Sequence, residues 1–475
     1  WRRLAESSNT RNSDDVTGDT FNIAHETDSD GNIVPDSLAM EAVDDYTFRF
    51  ELSRPFHSAL VQIAGQAFSV VPEGVVGDIE GYDGRMSYEE WTNEALYGTG
   101  PFQFESLNRG SNYRFSAYED YHGEVPSIDG IEYTILEDSS AKYNRAMNEN
   151  LDIFEIPISE YDPAKVSIEE DDGTYQEGTY GAARNGATLN YGQVTQLNTQ
   201  SLVFQTARVD RPARRAIAYA MNQHEIAENV YKGTGKPAYH IVPPAAYPTF
   251  ADGQSGEASY DRHAENGYES NTDFAADGYP YGYGETRLDD ARRVMEEAGY
   301  GAGNRYEVTA TTITGDSGYQ RVFTRLQSKL RSAYIDMDIV EAEFGTIISK
   351  AISGEMAVFG LGDGMEYPGP QNFLRFLHGQ NPSTQFTRWG AEDSYATEEY
   401  RQIAREAWDE NYAAEGSTRA DHNEAFQTVE EMNWASVQEL PFLHPKSQRF
   451  WHDDVDVEMY GVMENQAFDD TTLSR

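Results

Sequence analysis

The 475-residue sequence predicts an α/β fold. Two observations carry this. Between residues 200 and 380, short apolar runs alternate with amphipathic stretches of helical spacing, the pattern of strand–helix–strand units. In addition, the apolar run Ala357-Val358-Phe359-Gly360-Leu361 reads as a buried strand that breaks into a loop. The loop holds Gly362, Asp363, Gly364, Glu366, Pro368, Gly369 and Pro370, and helical spacing restarts at Asn372 to Leu377. A strand, a Gly/Pro-rich loop and a helix in succession present loop side chains to a ligand from a rigid frame. Taken locally, the same pattern also fits an ordinary connector with solvated acids.

The remaining elements follow from spacing and punctuation. Trp1 to Ala5 reads as a helix end, Thr20 to Ala24 as a strand, and Asp28 to Asn32 as a hairpin turn. A calcium loop there would begin at Glu26, but Ser37 stands where a bidentate acid belongs. Tyr46, Phe48, Phe50 and Leu52 alternate on the buried face of a strand, and His57 to Ile63 has helical spacing. Phe102, Phe104 and Tyr113 to Tyr118 are strand-like, with Gly98 and Gly100 expected to let backbone pass close to another segment. Ile131 to Leu136 and Leu151 to Ile156 are strands, with a helix between them capped by Asp138 or Ser139. The clearest helix is Pro212 to Tyr231, with Ile217, Met221, Ile226 and Val230 on one face. Phe250 to Gly284, rich in Gly, Asp and Tyr, reads as a long surface loop. Helices are then expected at Leu288 to Ala298, Tyr319 to Ala333, Thr346 to Ser353, Thr397 to Tyr412 and Ala420 to Val437. Strands are expected at Tyr306 to Thr312, at Met337 to Val340 and from Leu440.

Composition narrows the function classes. There are 81 acids against 36 bases, a net charge of −45, and only 7 of the bases are Lys. Phosphate contacts need clustered Lys and Arg, so no nucleic-acid partner is expected. Dispersed acids with scarce Lys suit a surface hydrated in molar salt, where charge repulsion is screened within about 3 Å. This points to an extreme halophile, the other reading being an acidic protein of ordinary salt; the aromatic and periodic apolar content argues against a disordered acidic chain. Cysteine is absent, which excludes disulfides, Cys-based zinc sites and cysteine nucleophiles. No run approaches the roughly 20 apolar residues of a spanning helix. The ten His form no HExxH, no Gly-x-Ser-x-Gly elbow occurs, and no cofactor or metal is implied.

Several segments, in order, resemble the extracytoplasmic solute-binding proteins of peptide-type ABC transporters. They are Trp1 to Glu6, Glu41 to Phe56 and Tyr97 to Leu107, the last similar to a Gly-Thr-Gly-Pro-Tyr-x-Phe signature. Tyr118-x-x-Tyr121-His122-Gly123, Asn150 to Ile153, Arg211 to Ala238, Asp289 to Tyr300 and Glu439 to Pro445 follow. The resemblance implies a two-lobed periplasmic-binding-protein-like fold that closes on its ligand by hinge motion. It assigns residues 1–95 to an extra subdomain, 96–195 with 436–475 to lobe I, and 196–435 to lobe II. It also implies that roughly a hundred residues of the family pattern precede Trp1, including a secretion signal and any membrane anchor.

The resemblance further implies site residues. The loop after Leu361 matches a Trp-x-x-Asp-Tyr-x-x-Pro pattern whose Asp pairs with a peptide α-ammonium. Glu366 stands at that Asp, Tyr367 follows, and Asp363 replaces the Trp. Phe344 stands at a pocket-lining aromatic position, Arg321 at one that meets a ligand carboxylate, and Trp389 adds an aromatic wall. Arg321 also reads as a solvated helix residue, and Phe344 and Trp389 also read as core. The expected function is extracellular capture of a peptide or other small solute and its delivery to ABC permease subunits, without catalysis. A secreted halophilic hydrolase using an Asp/Glu pair, or a surface receptor without transport, are the other readings.

Overall fold

A computed structural model describes the chain except residues 11, 12, 19, 20, 55, 57, 58, 66, 67, 95, 137, 252, 379–385, 390–396, 458, 460–467 and 475. It divides into two compact units. One comprises residues 1–137 with 453–460 and 466–475, the other 138–452 with 461–465.

The first unit carries helices α1 (Arg2–Glu6), α2 (Ser13–Thr17), α3 (Ala59–Gln62) and α4 (Tyr88–Glu94). Strands β1 (Met40–Asp44) and β2 (Thr47–Phe50) pair antiparallel, and β3 (Phe102–Asn108), β4 (Asn112–Ala117) and β5 (Gly130–Thr134) form a three-stranded antiparallel sheet. Its core is aromatic: Phe21 packs on Phe50, Phe68 and Trp1 with ring centroids 4.9–6.2 Å apart.

Four expectations change here. Of the expected buried face, Tyr46 is 99% and Phe48 52% exposed, and Tyr46 lies in a turn before β2, where Asp44 accepts a bond from Tyr46 N (2.9 Å). Ile23 makes only an isolated bridge to Leu52, and Thr20, at the start of the expected strand, lies outside the described residues. The helix expected from His57 is confined to α3, with His57 itself outside the described residues. A Cβ on Gly98 or Gly100 would meet nothing within 4 Å, so neither glycine marks a close approach. Asp28 does form a turn, its Oδ1 accepting from Asp30 N and Asn32 N at 2.9 Å each.

The second unit is organised by one ten-stranded sheet. Its strands are β6 (Ile153–Phe154), β7 (Val166–Asp171), β8 (Tyr175–Tyr180), β9 (Leu189–Thr195), β10 (Asn198–Phe204), β11 (Gly235–Pro237), β12 (Tyr306–Ile313), β13 (Ile335–Ala342), β14 (Val358–Gly364) and β15 (Glu439–Trp451). The order is β13-β12-β14-β10-β15-β9-β8-β7, with β11 and β6 also on β15. β12 runs parallel to both β13 and β14, and the remaining pairs are antiparallel. The first half of the 13-residue β15 pairs with β10 and β11, its second half with β9 and β6.

The helices of this unit are α5 (Ser139–Met147), α6 (Arg211–Ala220), α7 (Gln223–Asn229), α8 (Gly256–Asn266), α9 (Leu288–Glu297), α10 (Ser317–Leu330), α11 (Phe344–Ile352), α12 (Pro370–Leu374), α13 (Glu398–Ala407) and α14 (Arg419–Ser436). Asp138 caps α5, accepting from Ala141 N. One core joins the apolar faces of α6, α9, α10 and α14 to β10, β12 and β15, and a second gathers Tyr143, Phe154, Tyr180, Tyr191 and Phe450. Gly360 allows Tyr319 of α10 to lie across β14, since a Cβ there would sit 2.2 Å from the Tyr319 ring.

The long helix expected from Pro212 to Tyr231 is two helices. Met221 is extended, and the Asn222 side chain accepts from Glu225 N (2.9 Å) to start α7. The expected surface loop from Phe250 to Gly284 contains α8, capped by Ser255 and ended by Gly267 at φ +70°. It also buries Tyr260, His263, Tyr279 and Tyr281 completely or nearly so. Tyrosine there supplies apolar bulk with a hydroxyl that finds an internal partner. Strands β7 to β10 carry no apolar signal in the sequence: β7 is almost wholly exposed, and in β9 and β10 buried Gln193, Asn198, Thr199 and Ser201 interrupt the apolar alternation.

Candidate functional site

β12, β13 and β14 are parallel, so their C-terminal ends, Ile313, Ala342 and Gly364, lie on one side of the sheet. That side is where open α/β sheets receive ligands. The topology therefore brings most expected site residues to one edge. Phe344 begins α11 just past β13, Arg321 lies in the second turn of α10 after β12, and Glu366 and Tyr367 follow β14.

β14 is longer than its apolar run implied. Gly362, Asp363 and Gly364 are strand residues rather than loop, held opposite Gln200, Thr199 and Asn198 of β10. Beyond them Met365 N bonds to Leu197 O (2.8 Å) and fixes the start of the loop. Glu366 N donates to Asn372 Oδ1 (3.1 Å), and Glu366 Oε1 faces Arg375 Nη2 at 3.4 Å. The Glu366 carboxylate is thus half-exposed and partnered by its own loop. Tyr367 is completely buried.

Side-chain alternation brings a second group of residues to one face of the sheet. On β10, Thr199 stands opposite Asp363, Ser201 opposite Leu361 and Pro441, and Val203 opposite Glu439. Asp363, Glu439, Thr199 and Ser201 form the polar part of a small cleft on this face. Its apolar wall is Leu361, Ile241, Phe373, Phe376 and Phe386. The Phe376 and Phe386 ring centroids are 5.9 Å apart. Glu439 is largely buried, and no donor reaches its carboxylate among the described residues. Burial, with Asp363 and Glu430 adding repulsion, pushes its carboxyl up to about 8.

Of the expected residues, only Asp363 lines this cleft. Trp389 is completely buried, its indole N–H donating to Thr397 Oγ1 (2.9 Å), and it serves the core. Phe344 is 53% exposed at the sheet edge. Arg321 is half-buried and makes no ion pair among the described residues. Glu439 was not foreseen as a site residue. The available signal was an acid opening a run, Leu440 to Leu443, that reads as buried strand.

A buried polar chain backs the cleft. Thr199 Oγ1 donates to Ile241 O (2.7 Å) and meets His444 Nδ1 at 3.0 Å. Tyr260 OH accepts from Tyr239 N (2.7 Å) and His240 N (3.3 Å), so its proton goes to His444 Nε2 (2.9 Å). His444 then carries its proton on Nδ1, directed at Asn198 O (3.2 Å) and Thr199. Burial holds this ring neutral, its pKa down at about 3. Behind Ile241, the Glu430 carboxyl accepts from Ile241 N (3.0 Å) and Val242 N (2.7 Å). Burial overrides those two bonds and pushes it up to about 8. Among the described residues, no group of three or more His, Asp or Glu could hold a metal. No helix there is long and apolar enough to cross a membrane.

The model of the bacterial extracellular solute-binding proteins, family 5 Middle, matches residues 1–385. The chain belongs to that family. It is 24% identical over 362 residues to the dipeptide-binding protein of Escherichia coli, covering 74% of this chain and 58% of that one. It is also 24% identical over 345 residues to di/tripeptide-binding protein 2 of Pseudomonas aeruginosa, covering 70% and 54%. The chain thus spans little more than half the length of these relatives. In structure it is similar to Haemophilus influenzae OppA in complex with RPPGFSPFR, with a TM-score of 0.67 at 18% identity over 94% of this chain and 76% of that one. DppA of Helicobacter pylori in complex with the peptide STSA gives a TM-score of 0.64 at 18% identity, covering 92% and 74%. This family 5 chain therefore has the mixed α/β fold of those solved structures, as its sequence predicts.

Proposed function

We propose that this family 5 chain captures a peptide-like solute outside the cytoplasmic membrane and passes it to the permease subunits of an ABC transporter. The supporting observation is an acid-bearing cleft on the face of the mixed sheet beside the C-terminal end of β14, in a chain whose relatives carry dipeptide- and tripeptide-binding names. The function is binding followed by closure, with no bond made or broken. The cleft's acids take the ammonium end of the solute, Arg321 takes a carboxylate end, and Phe344 rims the entrance. Tyr367 and Trp389 hold the loop from inside.

The division at residues 95, 195 and 435 belongs to this proposal. The lobes meet at the β9–β10 turn and at the entry to β15, and these two crossings act as the hinge. Surface location through an N-terminal lipid anchor and origin in a saline environment complete it, the latter supported by the net charge of −45.

Native mass spectrometry of the protein purified from its own cells tests the reading. Retained peptide mass that exchanges with added peptides is expected. Turnover of peptide or glycan, abolished by a single carboxylate substitution, would overturn it.

A further inference from the structure

We propose that a second cleft of this chain binds a small zwitterion, a carboxylate and an ammonium a few bonds apart. This cleft shares no lining residue with the one that holds Asp363, so binding there goes beyond solute capture and does not rest on it. Its volume is about 500 Å³, the size of a small-molecule site. It lies in the second unit, between the segment leading into α8, the segment leaving it and the first two turns of α14.

Side-chain bonds hold its walls. Arg419 Nη2 donates to Thr249 Oγ1 (3.2 Å), and one turn on Asn423 Nδ2 donates to Thr249 O (2.7 Å). From the segment after α8, Asn271 Nδ2 donates to Glu424 O (2.8 Å) and Thr428 Oγ1 (2.9 Å). Asn271 N donates to Oε1 of the completely buried Glu431 (2.8 Å), which anchors that wall in the core. Gln254 Oε1 accepts from Phe250 N (3.1 Å) and Ala251 N (3.3 Å) and stiffens the segment before α8. A cleft built this way is formed before a ligand arrives, so little ordering cost falls on binding.

The charges of the cleft name the ligand. Arg419, Glu269 and Glu424 line it, all three exposed to solvent, and none forms an ion pair among the described residues. An anion alone would gain Arg419 but meet two carboxylates. A cation alone would gain the carboxylates but meet the guanidinium. A short zwitterion answers both signs at once, with its carboxylate on Arg419 and its ammonium toward Glu269 and Glu424. Phe250, half-buried in the wall, adds an aromatic surface that suits an ammonium. Because the three charges keep their water, each contributes a few-fold, and the expected dissociation constant is on the order of 1 mM.

The test titrates the whole 475-residue chain, at one fixed salt concentration, with L-alanine, β-alanine and γ-aminobutyrate, which space the two charges differently. N-acetylalanine and ethylamine, each lacking one charge, are the comparison ligands. Ligand-observed NMR reads affinity, first on the bare chain and then with a retained peptide filling the other cleft. At least one of the three zwitterions is expected to bind at about 1 mM in both states. N-acetylalanine and ethylamine are expected to bind at least about fivefold more weakly. Arg419→Gln should weaken the zwitterion about fivefold, and Glu269→Gln combined with Glu424→Gln by a similar factor, with peptide retention as in wild type. Absence of zwitterion binding at about 50 mM, well above that constant, would overturn the site. So would equal affinity for N-acetylalanine, unchanged affinity in Arg419→Gln, or displacement by the peptide. Retention of no peptide would overturn solute capture alone, since the bare chain still reads the second cleft. Thermal melts confirm that the variants, all at exposed positions, remain folded.

Discussion

Glu430 probes whether the buried polar chain holds the Ile241 wall of the cleft in place. It is completely buried, with Oε2 accepting from Ile241 N at 3.0 Å and Oε1 from Val242 N at 2.7 Å. Glu430→Gln keeps one acceptor oxygen and turns the other into an NH2 facing a backbone N–H. One buried donor is orphaned, at a cost of about 1–3 kcal/mol. Glu430→Ala orphans both and costs roughly twice that. The pH dependence gives a second signature. The carboxyl titrates at about 8 when folded, against 4.5 as its ordinary value. Between those values the folded chain holds a proton that the unfolded chain has lost. The contribution is complete below pH 4.5 and is lost as pH rises through 8. The slope is about −1.4 kcal/mol per pH unit. His240 and His444 titrate with the opposite sign, but below their ordinary 6.5, and the Trp1 amine, lowered by burial from 8.0, contributes equally to wild type and variant, so the difference between the two proteins from pH 6.5 to 8 reports on Glu430. Urea unfolding at the two ends of that window, at fixed salt, measures the loss. Glu430→Gln should start less stable and lose about 2 kcal/mol less across the window than wild type. Parallel pH profiles for the two proteins would refute the assignment of a buried, proton-holding Glu430.

Three further outcomes follow from the packing and the charge. Gly360→Ala places a Cβ 2.2 Å from the Tyr319 ring and should destabilise by about 1–3 kcal/mol through overpacking, read by thermal melting. Tyr260→Phe removes the acceptor of Tyr239 N and the donor to His444 Nε2 and should cost about 1–3 kcal/mol, read by urea unfolding. With a net charge of −45, the melting temperature should climb steeply as salt rises from about 0.1 M toward about 2 M, where repulsion is screened.

The fold was largely legible because its second unit is built from local periodicity. α9, α10, α11 and α14, and strands β12 to β15, fall within a few residues of where apolar spacing puts them. Elsewhere a non-local contact replaces the local signal. Met221 looks like helix interior, but Asn222 starts a new cap there. Tyr260 and His263 sit in a polar, glycine-rich stretch, yet partners 184 and 168 residues away, His444 and Glu431, make them core. β10 is hidden because its polar side chains are satisfied by distant groups, as Thr199 is by Ile241 and His444. The site was legible in place but not in membership. The loop after β14 was singled out from its Gly/Pro pattern, whereas Glu439 joins Asp363 only through the register of β14, β10 and β15. No spacing within the sequence encodes that register.

Arg375 separates the two acids of this edge. It lies one turn beyond the α12 start and faces Glu366 at 3.4 Å, with 18% and 45% of the two side chains exposed. The pair itself is worth about 0–1 kcal/mol, but Arg375 also donates to Asn372 O and lies over the Phe376 ring, so Arg375→Ala should cost about 1–2 kcal/mol of stability in all. Its effect on binding depends on which carboxylate holds the solute. If Glu366 were the seat, freeing it from its cation would strengthen binding of a free-amine peptide by several-fold, up to about fivefold for 1 kcal/mol. If Asp363 and Glu439 form the seat, the affinity should change by less than about twofold, because the Arg375–Glu366 pair is nearly neutral outside the cleft. Calorimetric titration of Arg375→Ala with a free-amine peptide that the wild type retains decides between them. A several-fold gain would place the cation seat in the loop, and with it the selectivity of the cleft.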